Sequence, residues 1–160
     1  METAVFNKHI EGVGTIEFFP FSLERDGKAI YQWVQQPYAV YWGLIGKSYE
    51  EFEQEYIHLL KPYHYNAYTG YLNGTPIFLM EQYDPNQDII AEHLDLEKDD
   101  TGMHILVAPP EHKIANFTWH VFSAVLSYVF SQPNCERVVV EPDARNSKIH
   151  QLNRKAGFVY

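Results

Sequence analysis

The chain has 160 residues, 46% of them apolar, with twenty-one acidic against twelve basic residues and a net charge of −9. That length supports one compact core and is short for two. Its acidity excludes nucleic acid as the expected partner, because neutralising phosphates needs clustered Lys and Arg. The lone Cys135 excludes an internal disulfide framework or a cysteine metal site and points to a reducing compartment.

Met1 to Gly14 is polar and broken by glycines, without the basic-then-apolar pattern of a leader, and reads as an N-terminal extension (residues 1–14) before a single domain over 15–160. No apolar run is long enough to suggest a membrane span, so the expected location is the cytoplasm with no membrane partner. Thr15 to Ser22 reads as a strand ending at a capping serine, and Leu23 to Gln36 as a helix stopped by Pro37. Ser48 with Glu51 forms a capping-box pattern, followed by Tyr49, Phe52, Tyr56, Leu59 and Leu60 on one helical face up to Pro62.

Two apolar stretches, Tyr65 to Leu72 and Pro76 to Tyr83, flank Asn73-Gly74, the strongest short signal for a two-residue hairpin turn. After an acidic connection, Gly102 to Ala108 (GMHILVA) reads as a buried strand closed by Pro109 and Pro110. Asn116 is placed to cap a helix from Phe117 to Ser131, apolar nearly all round and hence expected between layers. Arg137 to Val140 gives a further buried strand, Asn146 caps a helix ended by Gly157, and Phe158 to Tyr160 begins a last strand. The order predicts an α/β or α+β sandwich: a mixed, mostly antiparallel sheet with helices on both faces and a strand-helix-strand crossover.

Ligands settle where neighbouring strands diverge beyond their carboxyl ends, and the strands from Gly102 and Arg137 are expected to lie side by side there. The first carries His104 among apolar residues; past the second lies Asp143, after Pro142. An imidazole beside a carboxylate suits proton transfer near neutral pH, although a lone strand histidine is also an ordinary hydrogen-bonded core residue. The eight histidines form no HExxH pair or cysteine cluster, so no metal is expected. Tyr38 to Trp42 (YAVYW) reads either as a pocket wall or as core, and the turn from Pro109 to Asn116 opens a helix N-terminus suited to an anion, with Lys113 nearby.

The series "DDTGMHILVAP", "LSYVF", "RVVVEPDARN" and "KAGF" resembles the acyltransferases of hydroxamate siderophore biosynthesis, members of the GNAT superfamily, from about Thr15 to Tyr160. That resemblance implies acyl transfer from acetyl-CoA or another acyl-CoA to an N-hydroxylated amine such as N-hydroxylysine or an N-hydroxydiamine, with His104 as base and Asp143 as its partner. It also implies that Ile105, Leu106 and Val107 meet the pantetheine arm, and that Lys113, Asn116 and Asn146 serve the rest of the cofactor. Trp42, Tyr83 and Asp88 are read as lining the acceptor end.

Two features depart from the pattern. The stretch Pro110 to Asn116 (PEHKIAN) lacks the usual glycines, and Asn153 stands where many members have a thiolate-protonating tyrosine. Members usually continue past "GF" through a final strand pair, so this chain is either truncated or has that sheet edge covered by a second copy or a partner. Acylation of an ordinary amine, or a non-catalytic accessory role, are the alternatives.

Overall fold

The computed structural model describes residues 2–109 and 113–160. Its sheet has six strands, in chain order across the sheet: β1 (Phe6–Ile10), β2 (Gly14–Pro20), β3 (Tyr65–Leu72), β4 (Thr75–Tyr83), β5 (Asp100–Val107) and β6 (Arg137–Val139). All neighbours are antiparallel except β5 and β6, which run parallel. The helices are α1 (Leu23–Val34), α2 (Tyr49–Leu59), α3 (Phe117–Phe130) and α4 (Ser147–Ala156).

Local chemistry sets several of these boundaries. Ser48 Oγ accepts from the Glu51 N–H while the Glu51 carboxylate accepts from the Ser48 N–H, so α2 starts with a complete capping box. Asn73 and Gly74 both have positive φ, 52° and 78°, the backbone a tight β3–β4 hairpin requires.

Alternation along the strands divides the core between two faces. On one, Phe18, Phe78, Met80 and Met103 pack against Val121, Phe122, Val125 and Val129 of α3. On the other, Ala67, Leu79 and Leu106 pack against Ile30 and Val34 of α1 and Phe52 and Tyr56 of α2. Helices therefore cover both faces, as the sequence predicts, and each large apolar side chain so buried contributes about 1.5–3 kcal/mol.

Three expectations are corrected. Residues 6–10, assigned to an extension, form edge strand β1, its inward positions taken by Phe6, Lys8 and Ile10; the Lys8 ammonium there bonds Ser127 Oγ of α3 at 2.5 Å, and this polar inward residue hides the strand pattern. Asn116 precedes α3 in a left-handed conformation, φ 56°, and its side chain makes no cap hydrogen bond. Phe158–Tyr160 is not a strand: the Phe158 N–H bonds the Asn153 carbonyl and the Tyr160 hydroxyl accepts from Asn153 Nδ2 at 3.1 Å, folding the segment back onto α4.

The functional consequence lies at β5 and β6. They pair only over Asp100–Gly102 with Arg137–Val139, whereas β5 stays paired with β4 out to Val107. Beyond Gly102 the two parallel strands part, Pro142 cannot extend the ladder, and one edge of β5 opens into a cleft.

Candidate active site

The cleft has a volume of about 1290 Å³ and runs from the Trp42 segment, past the splayed edge of β5, to α4. Its walls differ in charge. Glu81 and Glu141 lie toward the aromatic end with Tyr38, Tyr41 and Trp42, where Arg145 sits over the Tyr41 ring at 5.8 Å and Lys47 pairs with Glu55, while Lys148 and Lys155 line the cleft from α4.

His104 sits at the centre, on β5 directly opposite Glu81 of β4. Its Nδ1 lies 3.1 Å from Glu81 Oε2 and its Nε2 lies 2.6 Å from Glu141 Oε1, so the ring is clamped between two carboxylates. Glu81 is buried and also accepts from the Tyr56 hydroxyl at 2.8 Å and the Tyr65 hydroxyl at 2.6 Å; Trp42 Nε1 donates to Tyr56 Oη at 3.2 Å. Glu141 accepts a second bond, from the Tyr83 hydroxyl, at 3.1 Å.

Burial alone would depress the His104 pKa, but hydrogen bonds and charge from Glu141 and Glu81 outweigh it and push it up to about 9. The imidazole is therefore charged at neutral pH. Its hydrogen bond in turn holds the Glu141 carboxyl below the usual carboxylate range, against burial. Burial and the adjacent carboxylates raise the phenols of Tyr56, Tyr65 and Tyr83 well above the usual tyrosine range, so they donate hydrogen bonds but do not ionise.

Gly102 makes this arrangement possible. The Tyr83 ring lies flat over it, and a Cβ at residue 102 would come within 2.3 Å of that ring. The ring packs on His104 at 5.0 Å between centroids and stacks on Tyr65 at 5.6 Å.

The residues singled out from sequence divide accordingly. His104, Ile105, Leu106, Val107, Asp143, Asn146 and Trp42 all line the cleft. Asp143, however, gives its carboxylate to Arg145, at 2.9 and 2.7 Å, which lowers its pKa to about 2; the carboxylates on the imidazole are Glu81 and Glu141. Asn146 doubles as the α4 cap, its Oδ1 accepting from the Ile149 N–H at 3.4 Å.

Tyr83 is buried behind His104 and is a support for Glu141 rather than a lining residue. Asp88 caps the short turn at Ile89–Glu92, accepting from the Ile90 N–H at 3.2 Å, and is outside the lining. Lys113 and Asn116 are exposed and also outside it; Pro110–His112 of the expected pyrophosphate loop fall outside the described residues. Among the described residues no group of His, Cys, Asp and Glu could hold a metal ion, and no helix is long and apolar enough to cross a membrane.

Glu81 and Glu141 were not picked out from sequence. A signal exists: Glu81 directly follows the apolar run Ile77 to Met80 within the expected strand, and an acid in a buried strand needs partners. Glu141 stands at the end of Val138–Val140, two residues before the acid that drew attention.

Residues 22–160 match the acetyltransferase (GNAT) domain family. An N-hydroxyputrescine acetyltransferase of Acinetobacter baumannii is 27% identical over 131 residues, covering 81% of this chain and 62% of that protein. The lysine N-acyltransferase MbtK of Mycolicibacterium paratuberculosis is 28% identical over 89 residues, covering 55% and 40%. The chain thus spans less than two thirds of the length of these relatives.

Among solved structures, an uncharacterised Bacillus halodurans protein superposes with a TM-score of 0.86 at 25% identity, covering 99% of this chain and 82% of that one. The aminoglycoside acetyltransferase AAC(6′)-Ib with paromomycin and acetyl-CoA gives 0.77 at 20% identity, covering 90% and 82%. The spermidine N-acetyltransferase of Vibrio cholerae with CoA and spermine gives 0.69 at 19%, covering 90% and 80%. The last two share the fold.

Proposed function

Because the chain belongs to the GNAT acetyltransferase family, we propose that it transfers an acyl group from acyl-CoA to the nitrogen of an N-hydroxylated amine, forming a hydroxamate of the kind used in siderophores. The observation that carries this reading is the double clamp on His104. An imidazole held protonated by two carboxylates is a poor base, and Glu141, its own pKa depressed, is a weak one.

An ordinary alkylamine is an ammonium ion at neutral pH and must lose a proton before it can attack a thioester. An N-alkylhydroxylamine is far less basic, already carries a free electron pair on nitrogen, and needs only a weak base once the tetrahedral intermediate forms. The site supplies what such an acceptor requires. The Acinetobacter relative, an N-hydroxyputrescine acetyltransferase, agrees in kind.

The donor fits the other wall. The edge of β5 beyond Gly102 offers the free backbone groups of Ile105 and Val107 to an extended amide arm, and their N–H groups are placed to polarise a thioester carbonyl. Lys148 and Lys155 on α4 give the polyanionic end of CoA a basic surface; Lys113 and Asn116 do not reach the cleft. The aromatic end, with Tyr38 and Trp42 in its wall, suits an acceptor that keeps a second, protonated amine.

The test is thiol release from acetyl-CoA with N-hydroxyputrescine and with putrescine between pH 6 and 9. The reading expects the hydroxylated acceptor to be turned over at least tenfold faster at pH 7. Equal rates, or preference for putrescine, contradict it.

A further inference from the structure

Acyl transfer needs two proton movements, one off the attacking nitrogen and one onto the departing sulfur. The cleft shows an acceptor for the first, Glu141, but Asn153, among the α4 residues that line the cleft, has its buried amide bonded to Tyr160 and no proton to give. Burial and the neighbouring carboxylates hold the phenols of Tyr56, Tyr65 and Tyr83 far above the usual tyrosine range, so they keep their protons. Lys155 holds its ammonium over the Trp119 ring, 4.3 Å from the centroid. The acidic N–H at the centre of the cleft is the imidazolium of His104.

We propose that His104 works as the acid: its imidazolium gives the Nε2 proton to the departing thiolate sulfur, while Glu141 takes the proton from the attacking nitrogen. The assignment rests on the acyl-CoA reading above and reverses the role expected from sequence. In the step, the nitrogen electron pair forms the C–N bond, the C–S bond breaks, and its pair stays on sulfur. The nitrogen's proton passes to the Glu141 carboxylate and the imidazolium's proton passes to sulfur. Afterwards protonated Glu141 returns its proton to the neutral Nε2, across the 2.6 Å contact that already joins them, and the site is reset without another reagent.

The surroundings of the ring support the charge it must carry. Glu81 and Tyr83 face it from β4 and Glu141 from the end of β6, with Tyr65 of β3 and Tyr56 of α2 behind Glu81. A pKa of about 9 lies close to that of a free thiol, the match that general-acid transfer to sulfur favours.

Two measurements with N-hydroxyputrescine as acceptor test it. With acetyl-CoA, kcat of the wild type is expected to be level through neutral pH and to fall above about 9, as the imidazolium is lost. A rate that climbs with an apparent pKa near 9 makes His104 the base and overturns the assignment, while leaving the acyltransfer reading intact.

The second compares acetyl-CoA with S-acetyl-4-nitrothiophenol, whose thiolate leaves without a proton. His104→Gln is expected to lose about 10²–10³-fold with acetyl-CoA but under about tenfold with the aryl thioester, whereas Glu141→Gln loses with both. Equal losses of His104→Gln on the two donors, in a variant with wild-type Tm and CoA binding, overturn the assignment. Absence of thiol release by the wild type from acetyl-CoA overturns this assignment and the acyltransfer reading together.

Discussion

Two acid clusters built from the same parts lie on this sheet and do different things. One centres on Asp26 of α1, fully buried, which accepts from the Ser22 N–H, the Thr69 and Tyr71 hydroxyls and the Arg25 guanidinium. The other centres on His104, with Glu81, Glu141 and three tyrosines. In the first, both Asp26 oxygens are taken and neither is exposed, the Arg25 guanidinium pairs with Glu2 as well, and the cluster is closed. In the second, two carboxylates share one imidazolium just as Glu2 and Asp26 share Arg25, but Glu141 is 35% exposed to the cleft. Closure makes a carboxylate a structural joint; an open side makes it a reagent.

That contrast is broken most sharply by exchanging what each cluster loses. Removing the imidazole, His104→Ala, is expected to lower kcat by about 10²–10⁴-fold in a protein that still folds, its Tm lowered only by the lost pairs to Glu81 and Glu141, read by thiol release and thermal melting. Asp26→Ala should do the reverse. Removing the buried carboxylate that Ser22, Arg25, Thr69 and Tyr71 share is expected to destabilise the fold by about 3 kcal/mol, measured by urea unfolding, with kcat kept at temperatures where the protein is folded.

The link between scaffold and reagent is Gly102. Gly102→Ala drives a Cβ into the Tyr83 ring and is expected to cost about 1–3 kcal/mol while also displacing the ring that bears on His104, so both readouts fall. Smallest is Tyr83→Phe, which removes one hydrogen bond to Glu141 and should lower kcat several-fold with Tm nearly unchanged.

The clusters also respond to pH with opposite signs. The bond from Arg25 and those from Tyr71, Ser22 and Thr69 outweigh burial and hold Asp26 below the usual carboxyl range. Its contribution is therefore present above the unfolded value and lost as pH falls through the acid range. His104 is raised, so its contribution is complete below about pH 6.5 and lost as pH climbs toward 9. Urea midpoints across pH should fall at both ends, and Asp26→Asn should remove only the acid limb.

Much of the fold was legible because its signals are local. The Asn73-Gly74 turn, the Ser48–Glu51 capping box and the apolar α3 each declare themselves within a few residues. β1 did not, because Lys8 occupies an inward position and finds Ser127 only across the sheet. The site followed the same rule. His104 stood out as one imidazole in an apolar strand, but that Glu81 lies opposite it depends on the β4–β5 register, and that Glu141 reaches it depends on the β5–β6 crossover. Asp143 misled for a local reason: Arg145, two residues on, takes its carboxylate through both backbone and side chain.

All of this turns on the charge of one ring. A titration of His104 by NMR, with ring-labelled histidine and His104→Gln for assignment, reads that charge directly. The account predicts a pKa of about 9 in the wild type, dropping when Glu81 or Glu141 is changed to glutamine. A value near or below that of a free histidine, unmoved by either substitution, would contradict it.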